Sequence, residues 1–139
     1  MEELRRYRQA LLATWERHPD ALKAAWKASA ASPQANRVLL RLWWWEKQVG
    51  YPNLMALLKG AAPSHVLPPL PERMPSPESM LADYRRWRQG AVESLRHAAP
   101  TVWSSIGRHP QAGRRTVQWW VERSLAEGEQ ALRMLEHEE

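Results

Sequence analysis

The chain has 139 residues, 44% of them hydrophobic and 25% charged, the balance of one soluble globular domain (1–139) with a continuous core. With no cysteine it excludes disulfides, thiolate metal sites and a cysteine nucleophile, which agrees with a cytoplasmic location. A net charge of +5 and a pI near 10.1 permit a nucleic-acid partner, although a merely solvated basic surface is the favoured reading.

The opening MEELRRYRQA is charged and has no apolar signal core, so no export signal is expected. No stretch approaches the roughly 20 apolar residues of a membrane span. Leu4, Tyr7, Leu11 and Trp15 recur at helical spacing and predict a first helix over 2–17, which Pro19 closes or follows with a short one. The Ala-rich run 20–31 adds a turn or two. Ser32 as N-cap and Pro33 in the first turn then open a second helix over 33–49, with Val38, Leu42, Trp45 and Val49 on its apolar face. Gly50 and Pro52 are expected to stop it.

Residues 50–77 hold seven of the eleven prolines and predict a stiff crossover, with a short helix over 53–59 capped by Asn53. Leu67 and Leu70 look like anchors onto the bundle; a polyproline ligand for a partner domain is the alternative. Ser76-Pro77 repeats the helix-start signal and opens a third helix over 77–97, striped by Met80, Tyr84, Trp87, Ala91 and Leu95. Another irregular stretch, TVWSSIGRHPQAG, precedes Thr116, the expected cap of the last helix. That helix carries Trp120, Ser124, Glu127, Ala131 and Met134 on one stripe, so a carboxylate stands in an otherwise apolar or small-residue face. A buried carboxylate requires a partner, a metal, a raised pKa or a solvated cavity.

The halves echo each other. RRYRQ at 5–9 matches RRWRQ at 85–89, and SPQANR at 32–37 matches HPQAGR at 109–114, each leading into a Trp-bearing helix. The pattern predicts an all-α four-helix bundle made of two helix pairs joined by the long crossover.

With that layout the chain resembles the DinB/YfiT-like family of four-helix bundles. The residues that carry the resemblance are WSSIGRHPQAGRRTVQWWVERSLAEGEQALRML (103–135), PPLPERMPSPESMLADYRRWRQGAVESLR (68–96) and ANRVLLRLWWWE (35–46). The resemblance implies a divalent-metal site built from one histidine of the second helix and two histidines, four residues apart, of the last. Aligned on this chain those positions fall on Arg41, Glu127 and Ala131, none of them histidine, so no divalent metal and no other cofactor is expected. Instead an Arg41–Glu127 ion pair is expected at the vacated centre, with Ala131 filling the third position. A functional version of that pocket would be lined by Trp45 and Trp120, with Trp44 nearby, and Arg41 would take a small anionic ligand.

The five histidines, 18, 65, 97, 109 and 137, share no helix at ligand spacing, and His109 is read as shaping the loop before the last helix. Three adjacent tryptophans, 43–45, spread over about 200° of a helix. Trp45 is expected in the core and its neighbours at an interface, which favours a homodimer, as the resemblance also implies. Tyr7 and Trp87 sit on apolar stripes, so core packing is preferred over base stacking for the Arg-aromatic repeats. The leading functional reading is a metal-free, non-catalytic bundle of this class, with the stress or DNA-damage association that the resemblance implies. A divergent thiol S-transferase and a basic nucleic-acid-associated protein are the alternatives.

Overall fold

In the computed structural model, which describes residues 2–137, three helices start where a hydroxyl side chain can satisfy a free N–H of the first turn. Ser32 accepts from the Ala35 amide at 3.0 Å, Ser76 from Ser79 at 3.1 Å and Thr116 from Trp119 at 3.0 Å. The helices are α1 (Glu2–Ala28), α2 (Pro33–Trp45), α3 (Tyr51–Leu58), α4 (Pro77–Arg96) and α5 (Val117–Glu136). A π-helical turn, Glu46–Gly50, fuses α2 and α3 into one column. Helix makes up 72% of the chain, and the architecture is an all-α bundle of four columns. The main packing runs across the sequence pairs, because α1 and α2 each lie against both α4 and α5.

Two expected helix ends do not occur. Pro19 lies inside α1, which continues to Ala28. A proline removes the hydrogen bond to the carbonyl four residues back, here Trp15, and the Arg88 guanidinium occupies that carbonyl at 2.7 Å. Tertiary structure thus supplies the missing donor. Gly50 and Pro52 do not end the second column either. In the widened turn the Tyr51 N–H reaches back five residues to the Glu46 carbonyl, so Pro52 follows a turn that already departs from α-helical pairing.

The crossover, 59–76, is extended as expected, but its anchors differ. Leu67 and Leu70 are 50% and 47% exposed and do not insert into the bundle. Asn53 is no cap; it is fully buried in α3, donating to the His65 carbonyl and accepting from the His65 amide, both at 2.9 Å. Pro63 is buried, and the Trp44 indole donates to the Pro68 carbonyl at 3.0 Å.

The stretch read as irregular before α5 holds a 3₁₀ turn, Pro100–Ser104, and an antiparallel hairpin of β1 (Ile106–His109) and β2 (Gly113–Thr116). His109 organises it: its Nδ1 accepts the Gln111 and Ala112 amides at 3.1 and 3.0 Å, closing the turn. Four-residue strands with arginines directly opposed at 108 and 114 carry no apolar alternation, so the hairpin left no period-two signal.

Two apolar clusters fill the bundle, one toward each end. The first centres on Trp15, Val92, Val117, Trp120 and Val121, and the second on Leu22, Leu39, Trp43, Met80 and Tyr84. Each column passes from one cluster to the other through a polar or glycine position: His18 of α1, Glu46 after α2, Arg88 of α4, Ser124 and Gly128 of α5.

Candidate functional site

This midplane layer is the most polar buried region among the described residues. Arg88 is 2% exposed and Glu46 4%. Glu46 faces inward because it stands four residues after Leu42 and three before Val49 on the same apolar face. Arg88 stands four after Tyr84 and three before Ala91 by the same rule.

A connected set of hydrogen bonds joins Arg88, Glu46, Ser124, Trp15, Tyr84 and His18. The Arg88 Nη2 lies 3.7 Å from the Glu46 carboxylate, 2.7 Å from the Tyr84 hydroxyl and 3.3 Å from the Ser124 hydroxyl. Ser124 donates to Glu46 Oε2 at 2.9 Å and accepts from the Trp15 indole at 3.0 Å. The Tyr84 oxygen accepts from Arg88, and the hydroxyl is hydrogen-bonded to His18 Nδ1 at 3.2 Å. The other imidazole nitrogen, Nε2, is buried without a hydrogen-bond partner. The guanidinium also stacks on the rings of Trp15 and Tyr84, 4.6 and 4.8 Å from their centroids.

The electrostatics follow from burial. Desolvation pushes the Glu46 carboxyl above its ordinary range, and Arg88 and then the Ser124 hydrogen bond oppose the rise. Desolvation and the Arg88 cation bring His18 down to about 4, against a small opposing effect of the Gly128 backbone. Burial takes the Tyr84 phenol up to about 12. His18 is neutral at neutral pH, and the one permanent cation of the layer is Arg88.

The residues expected from the sequence divide between two places. Arg41, Glu127 and Ala131 do come together, lining a cleft of about 380 Å³ between α2 and α5 with Arg37, Leu42 and Met134. The expected ion pair is not formed. Arg41 points to solvent, and Glu127 pairs at 2.7 Å with Arg123, one turn earlier on its own helix. At the edge of a cleft water solvates both charges, so nothing compels them to pair across it. Trp45 and Trp120 do not line that cleft. Both belong to the first apolar cluster, where Trp120 meets the edge of Trp119 and the His109 ring.

Nor do Trp43 and Trp44 form an exposed interface. Trp43 is buried, donates to Asp83 at 3.0 Å and stacks on Trp87, while Trp44 holds the crossover. Of the two repeat aromatics, Trp87 packs as expected but Tyr7 is 46% exposed and hydrogen-bonds Glu122.

Arg88, Glu46 and His18 match no site pattern in the sequence, although two signals point to this centre. Glu46 and Arg88 are ionisable residues at core spacing on facing helices, and Pro19 frees a carbonyl that some side chain must satisfy.

The arrangement binds charge internally and exposes none of it. The Ser124 proton is committed to Glu46, and Ser124 is 1% exposed, so no nucleophile is presented. Among the described residues no three His, Asp or Glu side chains are grouped to hold a metal ion. Among the described residues no helix is long and apolar enough to cross a membrane. Searches against protein-family models and against curated proteins found no match to this chain.

Proposed function

We propose that this chain is a metal-independent, non-catalytic member of the DinB/YfiT-like bundles that works by binding partners in the cytoplasm. The all-α bundle of four columns with a long crossover supports the resemblance. A register shift sharpens it. One position in the π-helical turn that continues the second helix, Glu46, and two positions four apart on the last, Ser124 and Gly128, converge at the bundle centre, similar to the pattern that the resemblance implies for metal ligands. Arg41, Glu127 and Ala131 sit beside that centre instead.

The observation that carries the reading is Arg88. Its guanidinium stands among the positions of this shifted register, 3.7 Å from the Glu46 carboxylate and 3.3 Å from the Ser124 hydroxyl, and it already neutralises Glu46. A second cation there would meet direct repulsion. The third ligand position is closed as well: a Cβ on Gly128 would come within 2.7 Å of His18 Cε1 and 2.8 Å of the Tyr84 hydroxyl oxygen. The residues present do not fit a three-histidine metal, and no step is derived through one.

Metal analysis of the protein purified without chelators tests this. The expected result is no stoichiometric zinc or nickel after dialysis, and a melting temperature that neither chelator nor added metal moves. Retained stoichiometric metal would overturn the reading and favour the thiol-transferase alternative.

The cleft holding Arg37 and Arg41 supports a second, compatible reading, a small organic carboxylate bound at the surface. Thermal-shift screening with aliphatic and aromatic carboxylates checks it; stabilisation should vanish in Arg37→Met/Arg41→Met.

A further inference from the structure

The crossover concentrates the exposed apolar surface of the molecule. Val66, Leu67, Leu70 and Met74 are 44–50% exposed, and among the described residues they are half of the large apolar side chains that face solvent. Burial along 67–73 has a period of three: Pro68 and Pro71 are partly covered, while Leu67, Leu70 and Arg73 are exposed, as are Pro69 and Glu72. Three residues per turn is the repeat of a polyproline II helix, and prolines at 68, 69 and 71 favour it by fixing φ and removing N–H donors. Leu67 and Leu70 therefore form one row, about 9 Å apart, and the chain bends just after it, at Glu72 and Arg73.

The backbone under that row is already tied down. Asn53 holds His65, Trp44 holds the Pro68 carbonyl, and the Ser76 cap starts α4. A partner binding this strap would have little chain to order, which favours affinity. Arg73 is exposed and takes part in no ion pair among the described residues, so the bend that follows the row presents a free cation. A hydrophobic-proline step, a second such step three residues later and then a basic residue is a ligand pattern read by aromatic-walled grooves. An acidic pocket complements its charged end.

We propose that Leu67–Pro68–Pro69–Leu70–Pro71–Glu72–Arg73 is a preformed ligand strap for a partner protein with an SH3-type groove, in which Leu67 and Leu70 fill apolar pockets and Arg73 meets a carboxylate. This strap is separate from the polar layer and does not depend on how that layer is read.

The full chain is titrated with an isolated SH3 domain that selects Leu-Pro-x-Leu-Pro-x-Arg ligands, by calorimetry and by amide and indole NMR shifts. Saturable one-to-one binding is expected, with shifts confined to 66–74 and the Trp44 indole. Arg73→Glu should weaken it about tenfold or more and Leu67→Ser/Leu70→Ser should abolish it, whereas Val66→Ser should change it little. These side chains are exposed, so unchanged melting curves accompany the variants. No saturable binding by the folded chain, affinity unchanged in both row variants, or a free 64–76 peptide that binds more tightly than the folded chain would each overturn the proposal. So would a self-association, seen by sedimentation, that the leucine variant removes, since a second copy would then be the occupant.

Discussion

Arg88 with Glu46 and Arg41 with Glu127 are the same pair of side-chain types on neighbouring helices, yet they behave in opposite ways. At the midplane both members are cut off from water, and the guanidinium is held by a carboxylate, two hydroxyls and the Trp15 carbonyl. In the cleft Arg41 stays in solvent and Glu127 turns to Arg123 on its own helix. Burial makes the difference: a charge removed from water must find its partners inside the fold, whereas a charge at a wet edge pairs with whatever is nearest, for little gain. The two regions still feel each other, because the Glu127 charge adds to the upward pressure on the Glu46 carboxyl.

The largest expected effect is that of Arg88→Met, which leaves Glu46 without its countercharge and the Trp15 carbonyl above Pro19 without its donor. A loss of about 3–5 kcal/mol is expected in denaturant unfolding. Adding Glu46→Leu should recover part of it, and strict additivity of the two changes would break the claim of a coupled pair. Glu46→Gln alone keeps an acceptor for Ser124 but isolates a cation that cannot neutralise. A loss of about 3 kcal/mol is expected, read from the same curves.

His18 supplies a pH signature that the cleft lacks. Its folded value of about 4 lies below the ordinary 6.5, so the unfolded chain binds the extra proton first as pH falls. Its neutral-state contribution is present above pH 6.5 and is lost as pH falls from about 6.5 to 4, an effect of about 3 kcal/mol at most. Glu46, raised by burial, acts in the opposite sense as pH rises above its ordinary value, so the contribution of His18 is read as a difference. His18→Asn, whose side-chain amide can still hydrogen-bond the Tyr84 hydroxyl, should flatten the wild-type slope in that window; equal slopes would remove His18 as its source.

The smallest effects belong to the cleft. Arg41→Met and Glu127→Gln should each shift stability by less than about 0.5 kcal/mol and add within error. A larger coupled loss would show that the pair forms after all and would erase the contrast with the midplane.

Much of the architecture was legible because local chemistry determines it. Ser32, Ser76 and Thr116 begin helices by accepting N–H groups within three residues, and a run of prolines cannot be a helix whatever surrounds it. Helical spacing likewise placed Leu42, Tyr84, Ala91 and Trp120 in the core. The candidate site was legible only in part. Helical spacing put Glu127 and Ala131 on one face, and only the resemblance set Arg41 opposite them; neither could say which carboxylate would be sealed from water.

Those matters were decided by tertiary structure, for one physical reason: each depends on a partner distant in sequence. Pro19 ends a helix unless a donor 69 positions later, Arg88, takes the freed carbonyl. Pro52 is tolerated because the turn before it widens, and Leu67 and Leu70 stay outside because Asn53 and Trp44 already hold the strap. By itself the sequence determined where helices begin, where proline forbids them and which faces are apolar. Which charges were buried, and therefore which arginine became the centre of the bundle, was decided only when four helices closed around Arg88.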